Sequence, residues 1–147
     1  MAGATFIVWK DEYLVGHDEL DTHHRRMFTI MNSLYHAMTT EEAKSQLTSL
    51  FQSALGYAHL HFQVEESVLR SAQYPHLTEQ EKTHQAYVKK LTDLVQPFLG
   101  TPQSLSLDVL QFLKEWWFNH ILKMDKAYAP FCVVMNRRTS AFSGRLA

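Results

Sequence analysis

Four stretches of this chain carry an apolar stripe at alternating steps of three and four residues, and each stripe is interrupted near one end by a histidine. The stripes run Leu20, His24, Met27, Met31, Leu34, Met38; Leu47, Phe51, Ala54, Ala58, His61, Glu65, Val68; Leu77, Gln80, His84, Tyr87, Leu91, Leu94, Phe98; and Leu110, Leu113, Trp117, His120, Met124, Ala127. Such steps return to one helical face, so each stretch is predicted to be an amphipathic helix. Four helices with short connections predict an all-α, antiparallel up-down-up-down four-helix bundle. Thr39 and Glu42 have capping-box spacing and are expected to open the second helix, which Ser71 to Pro75 ends. The third is expected to end around Pro97, and the fourth to open near Ser104 and stop before Pro130.

In an antiparallel bundle the start of helices one and three shares an end with the close of helices two and four. His24, Gln80 and His84 lie early in odd-numbered helices, and His61, Glu65 and His120 lie late in even-numbered ones. All six should therefore meet in one layer above an almost wholly apolar interior. A buried polar group without a partner costs about 1–3 kcal/mol, so six of them require a shared solution. A metal supplies it, and imidazoles with carboxylates suit iron, manganese or zinc. His61 and Glu65, four residues apart, can reach one such ion together. Asp125 follows His120 by five residues, about 140° round an α-helix and a poor match on spacing alone, but it flanks the stripe beside Met124 and could reach in as a bridging carboxylate.

Composition bounds the rest. At 147 residues, 46% hydrophobic and 20% charged, the chain has the make-up of one globular domain. A net charge of −1 offers no footprint for nucleic acid or anionic lipid. No apolar run approaches the roughly 20 residues of a membrane span, and no secretory leader opens the chain, so a cytoplasmic location is expected. The single cysteine, Cys132, precludes an intramolecular disulfide. The expected organisation is an arm over 1–19, anchored by Trp9 and packed on the bundle, the bundle over 20–130, and a tail or linker over 131–147.

The motifs Leu20-Asp21-Thr22-His23-His24, His61-Phe62-Gln63-Val64-Glu65-Glu66, Tyr74-Pro75, His84 and Trp117-Phe118-Asn119-His120-Ile121-Leu122-Lys123-Met124-Asp125, with Trp9 and Val15-Gly16 ahead of them, resemble the bacterial hemerythrins in order and spacing. The resemblance covers Trp9 to about Tyr128. It implies a four-helix bundle whose cofactor is two non-haem iron ions with an oxo or hydroxo bridge and dioxygen as ligand. Carried over residue by residue, His24 and His61 would hold the iron with the open position, His84 and His120 would hold the other, and Glu65 and Asp125 would bridge them. The family pattern has a histidine four residues before the one matched by His84, and Gln80 stands there. An amide oxygen is a weaker donor than imidazole, so Gln80 is a candidate weak or water-mediated ligand, and Glu81 a candidate substitute. Phe28, Phe62, Tyr87, Trp117 and Met124 are expected to line the pocket. Asp21 and Glu66 could orient histidines, whereas His17, His23, His36 and His59 show no convergence.

The chemistry expected is binding rather than catalysis, since no general acid, base or substrate pocket is evident beyond the layer. The reading that follows is an oxygen- or redox-sensing domain regulating a signalling output through a C-terminal domain or partner. The alternatives are an oxygen carrier and a small di-iron enzyme acting on peroxide or nitric oxide.

Overall fold

The computed structural model describes residues 6–40, 45–98 and 107–132. Its helices are α1 (Asp18–Thr39), α2 (Leu47–Ser71), α3 (Leu77–Val95) and α4 (Leu107–His120), the last continuing through a π-helical turn, Ile121–Asp125, into helical residues 126–132. Each helix packs on its chain neighbours, and α1 closes the ring on α4, giving the four-helix bundle expected.

The stripes are buried much as their periodicity requires, with Leu69 and Val95 replacing Val68 and Leu94 as the more buried members. A main apolar cluster built around Met27, Leu34, Phe51, Leu91, Leu110 and Trp117 fills most of the bundle. A smaller one, Val15, Leu20, Leu69, Tyr74, Tyr128 and Cys132, occupies the opposite end.

The boundaries of α1 differ from expectation at both ends. It opens at Asp18, two residues early, with His17 as N-cap accepting from the Leu20 N–H and with Asp18, Glu19 and Asp21 in the positive first turn. It runs through Thr39, whose hydroxyl donates to Tyr35 O at 2.7 Å instead of capping α2. Glu42, the other half of the expected box, lies outside the described residues, and Gln46 precedes α2 without a side-chain cap. Helix α3 opens at Leu77 with His76 as N-cap and no side-chain cap. Ser104 is outside the described residues. Helix α2 ends as the turn chemistry suggests: Gln73 takes a left-handed φ of 56°, and the Tyr74 N–H reaches back to Leu69 O.

Side chains of the bundle fasten the arm along its length. Asn32 accepts from the Phe6 and Ile7 N–H groups, both at 2.9 Å, and donates to Ile7 O. Trp9 packs edge-on against Tyr13 and Phe28 beneath the Arg25 guanidinium. Asp21 does not orient a histidine: its carboxylate accepts the Val15 and Gly16 N–H groups, gripping a turn in which Gly16 has φ 85°.

Candidate metal centre

The layer draws on all four helices: His24 from α1, His61 and Glu65 from α2, Gln80 and His84 from α3, and His120 with Asp125 from α4 and its π turn. None of these seven is more than 4% exposed.

Asp125 enters through a change of helical register. In the π turn the Lys126 N–H bonds to Ile121 O, five residues back, so the chain takes one residue more than an α-turn to come round. His120 and Asp125 then share a face, and their Nε2 and Oδ1 atoms are 3.2 Å apart. Downstream, Tyr128 and Cys132 become the buried positions, while Met124 is half-buried and Ala127 exposed, correcting the stripe read with unbroken α periodicity. The helix also passes Pro130, whose exposed ring interrupts it less than burial of Tyr128 and Cys132 sustains it.

The donors form two groups sharing a carboxylate. His24, His61, Glu65 and Asp125 offer ligand atoms all within 4.8 Å of one another, as do Glu65, His84 and His120. Glu65 divides its oxygens: Oε2 lies 3.1 Å from His61 Nε2, and Oε1 lies 2.9 Å from His84 Nε2. Asp125 does the same, with Oδ2 at 3.2 Å from His24 Nε2 and Oδ1 facing His120. Within each pair the imidazoles point Nε2 at Nε2, 3.2 Å apart for His24 with His61 and for His84 with His120. Glu65 Oε1, Asp125 Oδ2 and Gln80 Oε1 are buried without an aligned hydrogen-bond partner. Lone pairs of four imidazoles and two carboxylates aimed at two points, with oxygens left over, fit a pair of cations.

Electrostatics show the strain of holding these groups together. Burial opposes charge on His24, but Asp125 and Glu65 outweigh it and raise its pKa to about 9. Burial dominates at His61, pulling it down to about 4. The Glu65 carboxyl is held well below its ordinary range, with His61, His24 and His84 overcoming the burial that would raise it. Asp125 is also lowered, His120 and His24 prevailing over burial and the Glu65 charge.

Around the donors lies a shell that the sequence revealed only in part. Glu66 accepts from His84 Nδ1 at 2.7 Å, the orienting role anticipated for it. Tyr128 donates to Glu65 Oε2 at 2.9 Å, and Gln80 donates through Nε2 to Asp125 Oδ1 at 3.1 Å. His23 lies 3.1 Å from His61, Nδ1 to Nδ1, although nothing in its spacing suggested convergence. Phe62 stacks on His84 at 3.9 Å between centroids, and Trp116 on His120 at 4.3 Å. Trp117 packs against His61 and donates to the Tyr87 hydroxyl. Phe28 instead pairs with Trp9 and Tyr13 in the apolar cluster, and Glu81 turns outward, 3.9 Å from the Arg70 guanidinium.

Two open clefts reach the His84–His120 pair. One of about 370 Å³ between α2 and α3 is lined by Phe62, Glu66, His84 and Lys89, and one of about 340 Å³ between α3 and α4 by Thr83, Trp116, His120 and Met124.

Residues 15–132 match the hemerythrin HHE cation binding domain. The chain belongs to the hemerythrin family. Among its hemerythrin relatives, the bacteriohemerythrin of Stenotrophomonas maltophilia is 28% identical over 123 residues, 84% of this chain and 79% of that protein. The bacteriohemerythrin of Clostridium acetobutylicum is 30% identical over 125 residues, 82% of this chain and 97% of that protein. A hemerythrin-like protein of Naegleria gruberi is 27% identical across 82% of this chain and 88% of its own length. The crystal structure of wild-type hemerythrin superposes with a TM-score of 0.78 at 23% identity, covering 86% of this chain and 98% of that one, a likeness of fold. Hemerythrins hold a non-haem di-iron centre that binds dioxygen, and the two histidine–carboxylate groups described above are of the kind that could hold it. No helix among the described residues is long and apolar enough to cross a membrane.

Proposed function

We propose that this hemerythrin domain binds dioxygen at a di-iron centre and serves as a cytoplasmic oxygen or redox sensor, relaying the state of the centre to a signalling domain or partner. In this assignment His24 and His61 would hold one iron, His84 and His120 would hold the other, and Glu65 and Asp125 would be shared between them. The observation that carries it is the division of both carboxylates, one oxygen toward each histidine pair. Two irons held there would supply the two electrons of reversible dioxygen binding. The chain's own part is to hold the imidazoles by Nε2, to fix their rings against Phe62, Trp116 and Trp117, and to direct the Tyr128 phenol proton at Glu65.

Preference for a sensor over a store rests on the second iron's surroundings. Gln80 offers only an amide there, with Oε1 as its unpartnered atom, and both clefts open on His84 or His120. A site so reached by solvent exchanges electrons faster than a store should. Iron analysis with absorption spectra of the reduced protein before and after dioxygen tests the reading: two irons per chain and a new charge-transfer band support it, and a chain without iron refutes it. Gln80→His should slow autoxidation of the oxygenated protein several-fold, and an unchanged stopped-flow lifetime refutes the role given to Gln80. An output domain encoded after residue 147 supports the sensor, and a stop codon there supports a carrier. Turnover of peroxide or nitric oxide well above the autoxidation rate would make the domain an enzyme.

A further inference from the structure

His61 and His84 occupy corresponding places in the two donor groups, yet their far nitrogens meet different partners. His84 Nδ1 faces the Glu66 carboxylate at 2.7 Å, whereas His61 Nδ1 faces another imidazole, His23 Nδ1, at 3.1 Å. His24 Nδ1 has no hydrogen-bond partner among the described residues. With a cation on the Nε2 that His61 presents beside Glu65 and His24, its proton belongs on Nδ1, and His23 must accept it through an unprotonated Nδ1. That leaves the His23 proton on Nε2, the atom that looks toward Glu19, 3.9 Å away on the same helix one turn earlier. The second imidazole is held in place: His23 is 9% exposed and packs edge-on against both His61 and Tyr57. The ring order His61, His23, Glu19 therefore leads from the buried layer to a carboxylate that is 60% exposed.

We propose that His23 is a positioning residue for the centre, fixing His61 in its Nδ1–H tautomer and ring orientation so that Nε2 is presented to the first iron. Such partners of ligand histidines typically account for about 10- to 100-fold in metal affinity. A neutral imidazole acceptor draws the His61 proton less strongly than the carboxylate draws that of His84. The structure thus makes His61 the poorer electron donor of the two ligands and the His84 side the more electron-rich.

This rests on the di-iron reading, and the experiment separates the two. Diferrous wild-type, His23→Gln and His23→Leu proteins are compared by proton NMR for the solvent-exchangeable Nδ1–H of His61, and by Fe²⁺ release to a chelator. Glutamine can restore an acceptor and leucine cannot. In His23→Leu the His61 signal should shift or exchange out, and Fe²⁺ affinity should fall about tenfold or more. In His23→Gln both should return to within about threefold of wild type. If leucine leaves the signal and affinity unchanged, or if glutamine is as damaging as leucine in a protein of native circular dichroism, the role of His23 is refuted. Should His23→Leu not fold, His23→Gln alone decides: a His61 signal lost despite retained helicity overturns the proposal, and a retained one upholds it. A wild-type chain that takes up no iron refutes the di-iron reading instead.

Discussion

Burial and charge are in direct conflict at His24. It is fully buried, yet Asp125 and Glu65 keep it protonated up to a pH of about 9 in the metal-free fold. A cation takes the Nε2 lone pair, so that proton has to leave on loading. The sign follows: at pH 7 His24 is charged and loading releases its proton, whereas above its pKa there is none to release. His84, also raised by Glu65 and Glu66 against the effect of burial, adds to the release, while His61, at about 4, is already neutral. Titration calorimetry of the apoprotein with Zn²⁺ at pH 7, in buffers of different ionisation heat, should therefore find about one proton or more released per chain. A heat of loading independent of the buffer would contradict it. At this scale the convergence of His24, His61, Glu65, His84 and His120 was legible, because each interrupts an apolar stripe at the same end of the bundle. His23 was not: one residue from His24 it sits about 100° round the helix, and only the rotation of α1 against α2 decides that it meets His61.

Among the elements, the π turn most clearly separates sequence from structure. A step of five residues from His120 to Asp125 predicts divergence in an α-helix, and the turn absorbs the surplus residue. Removing one exposed residue there, Lys123, would leave a spacing of four, which an unbroken α-helix already aligns to within about 40°. The deletion is expected to keep two irons per chain with no loss of thermal stability, because it straightens the helix without turning Asp125, Tyr128 or Cys132 away. Inserting an alanine after Lys123 adds about 100° of rotation and should reduce bound iron below two per chain. Metal analysis and thermal melts of both variants check this, and an insertion as well tolerated as the deletion would contradict it. Amphipathic stripes made the existence of four helices legible, but not their ends. Thr39 resembles a cap by type and spacing, yet the stripe of α1 continues to Met38, and its hydroxyl bonds back into the helix that already contains it.

Across the whole molecule, the polar layer lies between two apolar bodies of unequal size. The smaller is assembled from the arm, α1, the end of α2, the loop before α3 and the stretch beyond the π turn, through Val15, Leu20, Leu69, Tyr74, Tyr128 and Cys132. Its composition was illegible beforehand, because Val15 and Tyr74 belong to no stripe and the last two depend on the register change. Tyr74 packs edge-on against Tyr128 and Phe131, so Tyr74→Ala should loosen this plug and speed iron loss to a chelator about tenfold or more. Val109→Ala, at the far end of α4, is expected to leave that rate within about twofold. Equal acceleration by both would show that loss follows global unfolding. With apolar side chains above and below the layer, metal can enter or leave only from the sides of the bundle, where the two clefts meet His84 and His120.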